Sequence, residues 1–332
     1  MEGFGDNPLV ARRVVEIIDR TFRIYRDNFV TFVSLAALVI VPVTLVTLFV
    51  ETISPPEFTT VEEISGDPLE VDWAVLVAVA VTSFLQVVLV NGLVTHMASE
   101  NHLGRKPSVA EGFAQARNRI VPLALGLLLV GIIVGGASAL LTVLTLLLYV
   151  PIVVFPVVIY FGIAIYLFIF PVMMLERVGV AFGARRALML CKARFWPVFG
   201  LSFGILVITL TLTIIFSALV TAIFNTGGVE RDILQSLAEM VANIFTVPIL
   251  PIGLTLMYYD TRIRLEGLDI TLQMVETPNP RPSDLVSPEI PGRLIGSRDL
   301  VNILILTVGG FALLCVLSTI IAVIVAALVG YD

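Results

Sequence analysis

Histidine and cysteine are nearly absent from this 332-residue chain, which carries two of each, and charged residues make up only 14% of it. Each scarcity removes a class of function. The histidines, His96 and His102, flank the end of one apolar segment with no carboxylate-and-histidine cluster beside them, so no metal centre is expected. Cys191 and Cys315 lie on a basic segment and inside an apolar run, without disulfide or metal-site spacing. The apolar segments hold no serine–histidine pair, paired aspartates or metal motif, which argues against intramembrane proteolysis. A Gly-Lys-Ser/Thr phosphate loop is also missing. No cofactor and no nucleic-acid partner is expected. The first 28 residues are charged and amphipathic and lack the short apolar core of a cleavable signal, so the first apolar segment is expected to direct insertion.

What is present is apolar length. Apolar residues make up 58% of the chain and mean hydropathy is +1.02, whereas soluble domains carry about 25% charged residues. A run of roughly 20 apolar residues crosses a hydrocarbon core of about 30 Å. Seven such spans are expected, over about 29–50, 73–97, 120–149, 151–175, 196–224, 237–259 and 301–329. The uncharged stretch from Ile120 to Leu175 is too long for one crossing and fits two, turning near Tyr149, Val150 and Pro151, with Gly135–Gly136 and Pro156 as other breaks. The fold class is therefore all-α, a polytopic transmembrane helical bundle.

Orientation follows from the bases. If every segment crosses, 19 of the 20 lysines and arginines share one side and only Arg231 lies on the other. The loop over 51–72 opposes them with seven acids and no base. The N-terminus is thus expected in the cytoplasm of a bacterial cell and the C-terminus outside. The basic rim suits anionic headgroups, with Arg13, Arg20, Arg185 and Lys192 as candidate lipid contacts, although setting topology is sufficient reason for such bases.

A degenerate repeat precedes the odd-numbered spans. Val14, Ile18, Phe22, Tyr25 and Phe29 form an apolar stripe opposite Arg13, Glu16, Arg20, Arg23 and Asp27, the pattern of an interfacial amphipathic helix. It returns at Val109, Phe113, Ala116 and Ile120, behind a Ser108–Glu111 capping box, and at Ala181, Ala184, Leu188, Cys191 and Phe195. Three hairpins, each led by an interfacial helix, make up residues 1–270. A proline-rich linker over 271–300 then tethers a C-terminal span at 301–332, which packs either on its own bundle or on a partner subunit. Gly131-x-x-x-Gly135 and Gly200-x-x-x-Gly204 have the spacing of close helix contacts.

The stretches EIIDRTFRIYRDNFVTFVSLAALVIVPV (Glu16 to Val43) and PILPIGLTLMYYDTRIRLEGLDI (Pro248 to Ile270) resemble the glycerophosphoryl diester phosphodiesterase membrane-domain family of bacterial proteins. The resemblance covers about residues 8–272, and its more specific part is Tyr258-Tyr259-Asp260-x-Arg262-x-Arg264-x-Glu266-Gly267. It implies architecture rather than activity. Members that hydrolyse glycerophosphodiesters carry a separate soluble barrel with a His-Arg-Gly start, whereas here His102 precedes Leu103-Gly104. The expectation is a non-enzymatic scaffold or accessory subunit. The alternative is a carrier for a lipid or small apolar solute, motivated by Pro156, Pro171, Pro248, Pro251 and Gly253 within spans. Against the carrier, no ionisable residue lies deep within the spans, where ion coupling usually needs one.

Asp260, Arg262, Arg264 and Glu266 form a candidate structural clamp. Tyr258 and Tyr259 before them suit the headgroup level. As exposed i, i+4 pairs, Asp260–Arg264 and Arg262–Glu266 would contribute only about 0.3–0.5 kcal/mol each. Asp260 becomes decisive only if it is buried against a base of an interfacial helix, with Arg13, Arg20, Arg119 and Arg194 as candidates. A solvated boundary helix is the other reading. The topology has a direct check: an impermeant thiol reagent applied outside is expected to label a cysteine placed at Glu62 and to spare one at Arg186, and the reverse pattern would refute it.

Overall fold

The computed structural model describes residues 10–53, 73–105, 108–148, 151–176, 178–224, 229–274, 288 and 295–329. Eleven α-helices run through these residues, with no strand among them: α1 (Val14–Asp27), α2 (Phe29–Ile53), α3 (Trp73–His102), α4 (Val109–Leu148), α5 (Pro151–Leu175), α6 (Val180–Ala193), α7 (Phe195–Phe224), α8 (Val229–Thr246), α9 (Ile249–Glu266), α10 (Leu268–Gln273) and α11 (Ser297–Val329). Six segments among the described residues are long and apolar enough to cross a membrane. The seventh expected span is helical as α11. The chain is an all-α polytopic membrane bundle.

The 120–175 run divides where a proline can start a helix: α4 ends at Leu148 and α5 opens on Pro151, whose missing N–H is no loss at a first helical position. The turn itself, the greater part of the acidic 51–72 loop, the side chain of Arg231 and most of the 271–300 linker lie outside the described residues. The linker's two ends are ordered: α10 extends to Gln273 and α11 begins at Ser297.

The three amphipathic segments differ in how they join their spans. α1 and α6 are separate 14-residue helices, broken from α2 and α7 at Asn28 and Arg194. The middle segment is not separate. Residues 109–119 continue into the span as one 40-residue helix, about 60 Å long. Its lead segment is about one turn shorter than α1 or α6, and it reaches the span without a break.

α9 is the hub. Every residue from Pro251 to Arg262 is buried, beneath α1, α3, α5, α6 and α7. α1 lies antiparallel along it. The Arg12 backbone N–H donates to Asp260 Oδ1 at 2.6 Å, Thr21 faces Gly253, and the Tyr25 hydroxyl donates to the Phe245 carbonyl at 2.7 Å, next to the break between α8 and α9. The most buried positions of α1 are Ile17, Thr21 and Ile24, beside the expected stripe. That face covers α9, leaving Arg13, Glu16, Asp19, Arg23 and Arg26 exposed. Gly267 ends α9 with a left-handed φ of 62° and returns its N–H to the Ile263 carbonyl.

The core concentrates at the basic end. Buried residues occupy the first half of α2 and α7, the second half of α3 and the last part of α5. Further along, α4 and α7 expose most of their aliphatic surface, as lipid-facing helices do. Among the described residues, Gly131, Gly135, Gly200 and Gly204 meet nothing within 4 Å of where a Cβ would stand, so neither Gly-x-x-x-Gly pair serves a helix contact there. Gly253 is the close approach, with Ile205 Cδ1 2.6 Å from that position. Gly253→Val is therefore expected to lower the thermal midpoint in detergent, by overpacking worth about 1–3 kcal/mol. Gly204→Val should leave it within a degree or two, and equal effects would refute the hub assignment.

Candidate functional site

The polar groups of the chain gather where α9 ends. Glu176, immediately after α5, is fully buried and faces two arginines. Arg186 of α6 donates from Nε to Glu176 Oε2 and from a terminal nitrogen to Glu266 at 2.9 Å. Arg262 of α9 donates from Nε to Glu266 Oε2 at 2.7 Å, and its outer nitrogen stands 3.4 Å from Glu176 Oε1. The Tyr258 hydroxyl, 2.7 Å from Glu176 Oε1, donates to that oxygen and accepts from Arg262 at 2.9 Å. Two bases and two acids form a net-neutral quartet joining α5, α6 and α9. Two main-chain carbonyls complete it: Arg119 holds that of Glu176, and Arg186 that of Pro288 in the linker.

Two expectations are corrected here. Arg262 and Glu266 are not an exposed pair but part of this buried quartet. Tyr258 and Tyr259 do not present their rings to lipid: both are inside the core, where Tyr259 shares a 2.8 Å hydrogen bond with Ser99 and packs against the His102 ring. Helix periodicity places both tyrosines between α3, α5 and the other helices around α9, so the apolar surroundings are supplied by protein rather than by lipid.

Asp260 forms a second cluster. It is 3% exposed and paired with Arg194, the residue at the α6–α7 break. It also accepts from Arg264 at 3.1 Å and from the Arg12 backbone N–H. One carboxylate thus joins α9 to the starts of α1 and α7. Of the other bases considered for it, Arg119 serves Glu176, Arg13 is exposed, and Arg20 lines a small cavity beside Asp260. Arg264 lies on the surface side, 40% exposed.

A third cluster fixes α11. Asp299, in its first turn, is 2.6 Å from Lys192 of α6, receives the Tyr160 hydroxyl at 2.8 Å and caps the Gly296 N–H. Asn302 bridges Tyr160 and the Trp196 indole. The C-terminal helix therefore docks at its basic end on its own bundle. Lys192 is not a lipid-facing base, because its charge is spent on Asp299 and its side chain is 9% exposed. Arg185 is exposed.

The residues that sequence reasoning passed over, Glu176 and Glu100, share a signal with Asp260. An acid follows a methionine by three positions at the same end of α3, α5 and α9: Met97–Glu100, Met173–Glu176 and Met257–Asp260. All six side chains are buried and each acid meets an arginine, Arg105 serving Glu100. Gly112 and Gly183 close on Met97 and Met173 in the same way, with 2.2 and 2.4 Å from a built Cβ to the sulfur. The repeat seen in the odd-numbered spans therefore extends to the even ones. A search of family models, curated proteins and solved structures finds no match.

Stranding one member of a buried ion pair costs about 3–5 kcal/mol. Glu176→Gln and Asp260→Asn are each expected to lower the detergent melting point by several degrees. The double change Glu176→Gln with Arg186→Gln should cost less than the sum of its singles, and strict additivity would refute the coupling. Asp299 adds a pH dependence. Burial pushes its carboxyl upward, but Lys192, the Gly296 N–H and the Tyr160 hydroxyl outweigh burial and hold it below its ordinary value of 3.8. Its contribution is present at neutral pH and is lost as the pH falls below about 4. In a Trp73→Phe background, Trp196 fluorescence should report that transition, and Asp299→Asn should abolish it.

Proposed function

We propose that this chain is a non-enzymatic multi-pass protein of a bacterial cytoplasmic membrane, acting as a scaffold or accessory subunit, with its N-terminus in the cytoplasm and its C-terminus outside. The observation that carries the reading is the closed basic half: α9 is enclosed by side chains and locked by two ion clusters, and a third docks α11 on α5 and α6. A cavity bordered by Arg12, Arg20, His102, Tyr259 and Asp260 has a volume of about 10 Å³, room for one water and not for a solute. The resemblance of residues 8–272 to the glycerophosphoryl diester phosphodiesterase membrane-domain family supports the same assignment, since it extends to the membrane part alone. Beyond its docked end, α11 presents Leu304, Ile305, Val308 and Phe311 outward, a surface on which a membrane-protein partner can pack.

The carrier reading keeps one supporting observation, the break at Val247–Pro248 between α8 and α9. The break is closed by Tyr25 and by the Phe29–Phe245 stack. Two experiments separate the readings. Mild-detergent purification from the native membrane is expected to recover a stoichiometric membrane-protein partner that is lost when α11 is deleted. Reconstituted vesicles are expected to move no fluorescent lipid between leaflets above the protein-free rate. Transfer without a partner would establish the carrier instead. Because Arg186 is buried, the inward-facing label for the topology test belongs at Arg185, where protection from an external reagent is expected.

A further inference from the structure

We propose that the polar stripe of α8 receives a transmembrane helix of another membrane protein, one that carries a lysine or arginine level with Glu239. Gln235, Glu239 and Asn243 recur every four residues along α8, the spacing of one helix face. α8 packs on α7 and α2, and neither covers this face: Gln235 and Glu239 are exposed and Asn243 is partly buried. Among the described residues, Glu239 has one polar partner, Gln235, at 3.1 Å on its own helix.

Depth gives the stripe its meaning. Residue counting sets Glu239 at the outer end of the span expected at 237–259, but the register of the helices moves it inward. Phe245 stacks on Phe29, the first residue of an apolar run that reaches Val50 without a charge. Glu239 is six residues along α8 from Phe245, about 9 Å into a run roughly 33 Å long. From the other direction it is ten residues below Val229, the start of α8, about 15 Å along the axis. The neighbouring α7 carries no charge from Phe195 to Phe224. An ionisable group therefore does lie within the apolar layer. A carboxyl group at such depth calls for a counter-charge or several hydrogen-bond donors, and Gln235 supplies a single bond.

The chain offers no base at that level. The apolar runs over 29–50, 73–97, 120–175, 195–224 and 301–329 contain no lysine or arginine, and Arg231 stands two helical turns before Glu239 on the same helix. A second copy related by a twofold axis along the membrane normal would set Glu239 against Glu239, acid on acid. A metal ion needs convergent ligands, and the described residues hold no group of three or more that could bind one. The stripe is linear instead, three positions over about 12 Å, the shape of a contact between helices. In such a contact hydrogen bonds form across the helix pair: a basic side chain meets Glu239, and Gln235 and Asn243 offer amides to the same helix. The inference rests on the accessory-subunit reading and specifies the partner's chemistry.

The test uses the full chain in phosphatidylcholine vesicles. The probe is a synthetic leucine-rich transmembrane peptide without tryptophan, carrying one lysine at mid-depth and a fluorescence acceptor. Energy transfer from the chain's tryptophans reads association. The lysine peptide is expected to associate at an about tenfold lower peptide-to-lipid ratio than the same peptide with leucine there, a preference of about 1.4 kcal/mol. Glu239→Leu should erase that difference, and Glu239→Lys should transfer the preference to a peptide with glutamate in place of the lysine. A peptide whose lysine is moved to the headgroup end should behave as the leucine peptide does, a comparison that needs only the parent protein. Equal association of the mid-depth lysine peptide with either control overturns the proposal, as does a lysine preference that survives Glu239→Leu. Because the probe is synthetic, failure here counts against this surface alone, while the accessory-subunit reading stands or falls on the native purification.

Discussion

Burying charge at one end of a membrane bundle is the constraint on which the rest of this structure depends. Asp260 and Arg262 stand on the most enclosed helix of the molecule. An unpaired charge there would cost several kcal/mol, so each must be met by a counter-charge from another element. Glu176 and Arg186 are brought to Arg262, and Arg194 to Asp260. Those demands fix where α5 ends, how α6 lies and where α7 begins. The breaks at Asn28 and Arg194 follow from the same need: they let amphipathic helices fold against α9 before the chain enters its span.

The ion clusters also divide the labour among helices. α6 is the crossing point, since Arg186 serves the quartet and Lys192, six residues later, serves Asp299. The same helix therefore stabilises the hub and receives the linker and α11. Along the other half of the bundle no such polar ties are needed. Aliphatic helices there meet lipid, whose tails are as apolar as their own side chains, and association rests on packing alone. A firmly locked basic half and a lightly packed far half are the expected result, and they suit a protein that presents helices to neighbours in the membrane.

Internal repetition gives the arrangement its economy. Three hairpins each carry a methionine and, three residues on, an acid at the end of the returning helix. Repetition of the motif places three buried carboxylates, and the base comes from the following loop for Glu100, from the neighbouring unit for Glu176 and from the unit's own leading break for Asp260. The second unit departs from the others by its shorter lead segment, which is why α4 is one continuous helix while α1–α2 and α6–α7 are broken.

The sequence by itself determined the class and the amphipathic character of the leading segments, and it narrowed the division of the 120–175 run to three places. These depend on local length, composition and periodicity, which a chain carries wherever it folds. It also singled out Asp260 and the correct partner among four arginines, without ranking them. Only the tertiary structure decided that Tyr258, Tyr259 and Arg262 are core residues, that Lys192 is bound to Asp299, and that Glu176 completes a quartet with residues 10 to 90 positions away. Amphipathic periodicity specifies that a helix has a face to bury but not whether lipid or protein covers it. For α1, α6 and α9 the covering is protein, and that outcome is set by long-range charge pairing that no local window contains.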